Sequence, residues 1–225
     1  MRDLAKSAHL DSPRVLSYGT PPVGGTLKRA FDVVAASLGI VALLPLFLFL
    51  VALVKITDPG PAFYGHARIG RGGRSFACLK FRTMMVNGDE VLAAHLRDNP
   101  AARDEWLATR KLRNDPRVTR VGHVLRKLSL DELPQLLNIL QGDMSIVGPR
   151  PVVHAELEHY GPFADCYLKS RPGLTGLWQV SGRSDVSYEA RVAFDRQYIE
   201  NWSLAGDLRI ILLTVPAVCL SRGSY

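Results

Sequence analysis

Residues 30–54 read AFDVVAASLGIVALLPLFLFLVALV, an apolar run interrupted at only four positions, namely Asp32, Ser37, Gly39 and Pro45. At about 1.5 Å per residue, a helix of this length could cross a hydrocarbon core of about 30 Å. A signal peptide would have a shorter apolar region and a cleavage site after it, whereas Lys55 and a Pro/Gly-rich turn at 58–61 follow here. The run therefore predicts a membrane helix.

Two features bear on how this helix lies in the membrane. Pro45, near its middle, removes a backbone donor and crowds the carbonyl of Val41. Basic residues flank both ends, which would keep both ends in the cytosol; they are Lys28, Arg29, Lys55, Arg68 and Arg71. A helix that bends at Leu44 and Pro45 and returns satisfies both observations, and a single kinked spanning helix is the alternative.

The rest of the chain divides around this segment. Residues 1–26 form a polar leader rich in Pro, Gly and Ser, 27–56 the membrane helix, and 57–225 the remaining domain. The run at 204–220 is apolar but contains two charges and a proline, which is typical of a helix at the membrane interface.

The domain pattern predicts a helix-dominant α/β fold with short strands. Glycines 72 and 73 mark a turn between short strand-like segments, and 148–183 is mostly loop with short helices. The predicted strands are 63–70 and 76–83, and the predicted helices 90–113, 122–140 and 188–200.

The composition limits the classes of protein. The chain has 225 residues, and 47% of them are hydrophobic, which excludes a mostly disordered chain. Its net charge of +7 suits an anionic partner. No nucleic-acid-binding motif accompanies the charge, so we expect no nucleic-acid partner. Three widely spaced cysteines indicate no disulfide framework, and we expect reduced thiols facing the cytosol.

The chemistry is predicted by residues 126–136, RKLSLDELPQL. A proline fits a helix without breaking it in the first turn, so Pro134 predicts a helix start near Asp131. That would put the carboxylates of Asp131 and Glu132 at a helix N-terminus, where phosphate also binds well, with Arg126 one turn upstream. The plainer interpretation is an N-cap and a first-turn acid.

Basic side chains in loops favour the phosphate interpretation. Lys80 follows an apolar run, Arg150 is fixed between two prolines and Arg183 follows a glycine. A guanidinium with so little backbone freedom is suited to bidentate phosphate recognition, although each of these charges could also be a solvated surface group. Asp143 and Asp195 could supply oxygen ligands to Mg²⁺ beside the acidic pair.

Five further motifs stand out in the sequence, namely KRAFD at 28–32, LKFRTM at 79–84, LSLDELPQ at 128–135, GDMSIVGPRP at 142–151 and RPGLTG at 171–176. Together they resemble those of the bacterial sugar transferases, which are monotopic polyprenyl-phosphate phosphoglycosyl transferases. The resemblance spans about residue 27 to the C-terminus, and within the family the chain is most similar to rhizobial enzymes that begin exopolysaccharide repeats with galactose phosphate.

The resemblance implies a re-entrant membrane helix, with the catalytic domain on the cytosolic face of the bacterial inner membrane. It also implies transfer of a hexose 1-phosphate, galactose before glucose, from a UDP-sugar to undecaprenyl phosphate. Asp131 would form a phospho-aspartyl intermediate and expel UMP, with Glu132 assisting a Mg²⁺ site. Many relatives have Ser-Pro at the helix break, whereas this chain has Leu44 and Pro45.

Other family positions match residues of this chain. Lys80, Arg126 and Arg150 would contact phosphates, and Asp195 would support the acidic pair or the metal. The pattern leaves open whether the chain forms a homo-oligomer. Three alternatives differ in their consequences: a non-catalytic membrane scaffold, a nucleic-acid binder and a glycosyltransferase that releases UDP.

Overall fold

The computed structural model describes residues 21–181 and 187–219, and Arg183 lies outside these ranges. The α-helices of the described residues are Gly25–Thr57 (α1), Gly88–Asp98 (α2), Pro100–Thr109 (α3), Arg120–Lys127 (α4), Gln135–Gln141 (α5), His154–Glu158 (α6), Ala164–Leu168 (α7), Leu177–Ser181 (α8), Tyr188–Glu200 (α9) and Leu204–Cys219 (α10). The strands are Phe63–Ile69 (β1), Ser75–Phe81 (β2), Ser145–Val147 (β3) and Gly173–Thr175 (β4). The predicted helix-dominant α/β class is confirmed.

The four strands form two small sheets. Strands β1 and β2 make an antiparallel hairpin in which Phe63 lies opposite Phe81 and Ile69 opposite Ser75. The turn between them includes the glycines predicted to form it. Strands β3 and β4 pair in parallel and join the GDMSIVGPRP motif to the RPGLTG motif.

Two helix predictions were too long. The segment 90–113 is split into α2 and α3, because Pro100 lacks the backbone N–H that would continue α2 and instead starts α3. The segment 122–140 is split into α4, a 3₁₀ turn at Leu130–Glu132 and α5. The helix predicted at 188–200 is confirmed as α9.

Helix α1 is continuous over Gly25–Thr57, slightly longer than the predicted 27–56. The predicted break at Leu44 and Pro45 does not interrupt the helix, since an internal proline costs one hydrogen bond and can be accommodated by bending. Within the described residues α1 is the one helix long and apolar enough to cross a membrane.

Both halves of α1 pack against the rest of the protein. Ala36 in the first half lies in an apolar cluster with Ile139 and Met144. Leu50 and Val54 in the second half pack with Phe81 and other buried side chains of β2 and α4. The opposite side of the helix is apolar and exposed, with Leu38, Val41, Leu44, Leu48 and Phe49 each at least 47% accessible.

Polar contacts also fix the start of α1. Lys28 Nζ lies 2.7 Å from Asp207 Oδ2 on α10, and both side chains are almost fully buried. Asp207 also accepts hydrogen bonds from the Tyr198 hydroxyl at 2.8 Å and Trp202 Nε1 at 3.1 Å. Asp32 Oδ1 accepts hydrogen bonds from the Ser145 hydroxyl and the backbone N–H that follows it. These buried acceptors tie α1 to β3 and α10.

Helix α10 exposes large apolar side chains, as expected for a helix at a membrane interface. They are Leu208, Leu212, Leu213 and Val215, each at least 44% accessible. The interfacial position itself stays a prediction.

We predict that Lys28→Met lowers the free energy of unfolding by about 3–5 kcal/mol, because the change leaves the Asp207 carboxylate buried without its cation. The measurement is denaturant unfolding of the detergent-solubilised protein. Lys55→Met is the matched control, since Lys55 lies exposed in the last turn of the same helix and should change stability by less than about 0.5 kcal/mol. Equal effects of the two substitutions would contradict the assignment.

Candidate active site

Asn138 fixes helix α5 against strand β2. Its amide nitrogen donates to the Ala77 carbonyl and its amide oxygen accepts from the Leu79 N–H, both at 2.9 Å. Asn138 is 1% exposed, and buried backbone groups need hydrogen-bond partners. Its amide supplies these partners at the edge of β2, where no third strand of the described chain pairs. This clamp sets the position of Lys80, the next residue of β2, relative to the turn before α5.

That turn carries the acidic pair. Asp131 and Glu132 lie on a 3₁₀ turn over Leu130–Glu132, and α5 begins only at Gln135 with Pro134 at its N-cap. The predicted α-helix start near Asp131 is therefore displaced by about one turn, because Ser129 in the left-handed region at φ 55° opens a tight turn first. A non-glycine residue at such a φ stores strain of about 1–3 kcal/mol.

Lys80 contacts both carboxylates. Its Nζ atom lies 2.6 Å from Glu132 Oε1 and 3.8 Å from Asp131 Oδ2. The Asp131 side chain is 12% exposed, whereas those of Lys80 and Glu132 are 34% and 38% exposed. Asp131 is therefore the buried member of the cluster, and solvent or a ligand can reach Lys80 and Glu132.

Neighbouring charges shift the pKa values of Asp131 and Lys80. Burial raises the pKa of Asp131, the ammonium of Lys80 opposes this, and the charge of Glu132 adds to it. Burial alone would lower the pKa of Lys80, but the charges of Glu132 and Asp131 outweigh it and raise that pKa. Lys80 therefore stays charged and favours ionisation of a carboxyl that its burial would otherwise protonate.

Arg126 approaches the same carboxylate from helix α4. Its Nε atom donates to the Thr83 hydroxyl at 2.9 Å, and its charge acts to lower the pKa of Asp131. Helix α4 reaches the end of β2 because Gly122 has no side chain: a Cβ atom there would lie 2.1 Å from the Thr83 carbonyl oxygen. The structure thus brings together Lys80, Arg126, Asp131 and Glu132.

Arg150 is held rigidly by its neighbours. The Gly173 N–H donates to the Pro149 carbonyl at 2.8 Å, and the Ile69 N–H donates to the Val152 carbonyl at 2.9 Å. The glycines of the two motifs touch backbone to backbone, since a Cβ on Gly148 would lie 2.5 Å from a carbonyl oxygen. The Arg150 guanidinium stacks on the Trp178 ring, with Cζ 5.3 Å from the ring centre.

Asp195 occupies a separate buried position on α9. It accepts a 2.7 Å hydrogen bond from the Tyr160 hydroxyl. Burial raises its pKa to about 7, whereas the hydrogen bond and Arg150 act in the opposite direction. Asp195 thus lies within electrostatic reach of Arg150.

Within the described part of the chain, the structure contains no ready-made metal site of three side chains. In residues 21–181 and 187–219, the His, Cys, Asp and Glu side chains make no group of three that could hold a metal ion. Asp195 accepts the Tyr160 hydrogen bond through Oδ2 while its Oδ1 has no hydrogen-bond partner, so the predicted set of Asp131, Glu132 and Asp195 stays a prediction. Asp143 lies in the turn between α5 and β3.

The sequence interpretation did not single out Asn138, Thr83 or Trp178. Asn138 had a usable signal, because it is the one amide in the otherwise apolar run 136–140. Such a residue in a buried helix face needs hydrogen-bond partners, which here are the edge of β2. Trp178 gave no such signal, since its partner Arg150 lies 28 positions earlier in the chain.

Comparison with known proteins was made on the sequence. The model of the family described as bacterial sugar transferase matches residues 23–221. The chain is 68% identical to the exopolysaccharide production protein ExoY of Rhizobium meliloti, over 91% of this chain and 90% of that protein.

More distant relatives have names that specify a reaction. The chain is 52% identical to the undecaprenyl-phosphate galactose phosphotransferase of Salmonella typhimurium, over 88% of this chain and 42% of that protein. It is 42% identical to the UDP-glucose:undecaprenyl-phosphate glucose-1-phosphate transferase of Caulobacter vibrioides, over 88% of this chain and 72% of that protein. With a family match along nearly the whole described chain, this protein belongs to the bacterial sugar transferase family.

Proposed function

We propose that this enzyme transfers a hexose 1-phosphate, preferentially galactose 1-phosphate, from a UDP-sugar to undecaprenyl phosphate and so begins an exopolysaccharide repeat. The observation that carries the proposal is the contact of the Lys80 ammonium with two adjacent carboxylates, in a protein whose helix α1 exposes large apolar side chains. The names of relatives agree in kind, since they refer to exopolysaccharide production, galactose phosphotransfer and glucose 1-phosphate transfer.

In the first step, an Asp131 oxygen attacks the β-phosphorus of the UDP-sugar. The bond from that phosphorus to the bridging oxygen breaks, and UMP leaves with the electron pair. Asp131 suits this role because it is mostly buried and its negative charge is therefore poorly solvated, while Lys80 and Arg126 favour its ionised form. The same two cations would stabilise the charge that develops on the phosphoryl oxygens.

In the second step, a phosphate oxygen of undecaprenyl phosphate attacks the same phosphorus and releases Asp131. The product is undecaprenyl diphosphate-sugar, and the carboxylate is restored. Arg126 is suited to the acceptor phosphate, because Val124 on its helix α4 and Leu128 at the end of that helix are each at least half exposed. An apolar surface next to a guanidinium matches a phosphate attached to a polyprenyl chain.

Magnesium fits the acidic pair. Mg²⁺ is usually held by one or two carboxylates together with substrate phosphates, and Glu132 with Asp131 supplies that number. When bound, the ion would neutralise negative charge on the diphosphate. Glu132 is the more accessible of the two and is the better placed to hold it.

The packing of α1 supports a monotopic arrangement at the inner membrane. Both halves of the helix pack on the same body of the protein, and the exposed apolar positions lie mainly between the buried ends. A spanning helix would carry one end away from the domain. We therefore infer that α1 enters the lipid and both its ends stay on the cytosolic face with the catalytic domain.

Asp131→Asn is expected to lower UMP release by at least about 10³-fold, because the amide cannot form the phospho-aspartyl intermediate. The measurement supplies detergent-solubilised protein with UDP-galactose or UDP-glucose, Mg²⁺ and undecaprenyl phosphate. Asp104→Asn, at an exposed position on α3, is the matched control and should keep full activity.

The same assay separates the alternatives. Full activity of Asp131→Asn would refute the nucleophile assignment, and release of UDP would make the protein a glycosyltransferase. No nucleotide release with any donor would favour a scaffold. When a labelled sugar donor is supplied without acceptor, the peptide that contains Asp131 should become labelled in the native protein. The same peptide should stay unlabelled in Asp131→Asn.

Lys80→Met is expected to move the acidic limb of the pH–activity profile to higher pH. Activity requires ionised Asp131, so it falls as pH falls through the pKa of that carboxyl, and loss of the neighbouring ammonium raises this pKa further. The maximal rate should also fall by about 10²-fold. Lys127→Met, exposed on α4, is the control, and a limb that stays in place or moves to lower pH would contradict the assignment.

The topology predicts equal accessibility of the two ends of α1. Single cysteines at Thr26 and Thr57, in a background without the native cysteines, should both react with a membrane-impermeant maleimide in inside-out vesicles. Neither should react in right-side-out vesicles. Labelling of the two ends from opposite sides would establish a spanning helix.

A further inference from the structure

Helices α8 and α9 concentrate buried polar atoms that lack partners. Among the described residues, six buried side-chain nitrogen or oxygen atoms have no hydrogen-bond partner, and four of them lie on these two short segments. Such atoms are rare in native proteins because each costs free energy, so a cluster of them indicates a missing partner. The four atoms are Trp178 Nε1, Gln179 Oε1, Arg191 Nε and Asp195 Oδ1.

Two guanidiniums share the tryptophan of this cluster. The Cζ atom of Arg191 lies 5.0 Å from the centre of the Trp178 ring, and that of Arg150 lies 5.3 Å from it. The two positive charges are therefore within about 10 Å of each other. Stacking on one indole fixes both planes but leaves their N–H edges available to bind an anion.

Neither charge is neutralised by an ion pair. Within 21–181 and 187–219, no carboxylate lies in salt-bridge distance of Arg150 or Arg191. Arg196 on the same helix offers a contrast, since it stacks on Phe163 at 4.5 Å and also pairs with Glu200 at 2.7 Å. The buried Asp195 carboxyl lies within electrostatic reach of Arg150. One carboxyl beside two guanidiniums leaves this cluster with a net positive charge.

The chain leads from the acidic turn back toward Arg150. Helix α5 begins just after that turn, the chain reverses at Gly142, and Ile146 of β3 packs in one apolar cluster with Leu136 of α5. Burial raises the pKa of the Cys78 thiol to about 11, and the charges of both Lys80 and Arg150 oppose that shift. Cys78 is two residues before Lys80 on β2, so one buried thiol is within electrostatic reach of the lysine and of Arg150. A diphosphate reaching Asp131 could therefore extend toward the two stacked arginines.

We propose that Arg191, together with Arg150, binds the α-phosphate of the nucleotide donor, the phosphate that leaves as part of UMP. This assignment rests on the proposed function. When the bond to the β-phosphorus breaks, the bridging oxygen gains negative charge on that phosphate, and a desolvated guanidinium stabilises it. Arg126 is left for the acceptor phosphate, so the two substrates have separate cationic partners.

The test is a calorimetric titration of the solubilised full-length protein with UMP. This measurement reports binding and needs no turnover. Arg191→Gln should weaken UMP binding and raise the KM for UDP-galactose, each about tenfold, while the KM for undecaprenyl phosphate stays the same. Arg196→Gln is the matched control, because Arg196 lies on the same helix and also stacks on an aromatic ring, and it should change neither constant.

Other outcomes overturn the assignment. Unchanged UMP affinity in a folded Arg191→Gln protein means that the stack is structural only, and a rise confined to the KM for undecaprenyl phosphate moves Arg191 to the acceptor. Thermal melting verifies folding. If the glutamine variant is unfolded, Arg191→Lys, which keeps the charge without the planar fork, should weaken UMP binding severalfold, and unchanged affinity there is equally contradictory.

These outcomes are distinct from failure of the proposed function. If the native protein releases UDP from the donor, phosphoglycosyl transfer is wrong whatever Arg191 does. UMP affinity that depends on Arg191 would then still identify a nucleotide phosphate site.

Discussion

The buried ion pair between Lys28 and Asp207 is the constraint on which the arrangement of the other elements depends. Two charges taken out of water are expensive unless each is paired and hydrogen-bonded, so they tolerate few alternative geometries. Asp207 meets this condition through Lys28, Tyr198 and Trp202 together. Helix α1 is otherwise apolar and could rotate or slide along an apolar surface. The ion pair and the Asp32 contacts specify one orientation of it.

With α1 fixed, the positions of the reactive groups follow from backbone contacts rather than from side-chain packing alone. Asn138 ties α5 to β2, and α5 also packs on the first half of α1. Gly122 lets α4 meet the end of β2, and Gly148 lets the two Pro/Gly motifs touch. Each of these contacts allows almost no displacement. Lys80, Arg126 and Arg150 are therefore mounted on rigid elements, which is what recognition of a developing charge requires.

The sequence predicted the local features whose causes are local. The apolar run predicted α1, and the glycines predicted the β1–β2 turn. Pro134 predicted a helix start near Asp131, about one turn before the observed start at Gln135. Prediction failed where distant contacts decide. The hydrogen bond between Asp195 and Tyr160 joins residues 35 positions apart, and no signal in the sequence indicated it. The stack of Arg150 and Arg191 on Trp178 likewise depends on the mutual placement of three separate segments.

The broken helix at 122–140 has a chemical consequence. In one continuous helix, Arg126 and Asp131 would be separated by about 140° around the axis and would face different directions. The left-handed Ser129 ends α4 and opens the 3₁₀ turn, and the Arg126 charge then acts directly on the Asp131 carboxyl. The strain at Ser129 is a cost that the hydrophobic packing of Leu130 and Leu133 against the second half of α1 can offset. Helix α1 thus also supports the turn that carries the acidic pair.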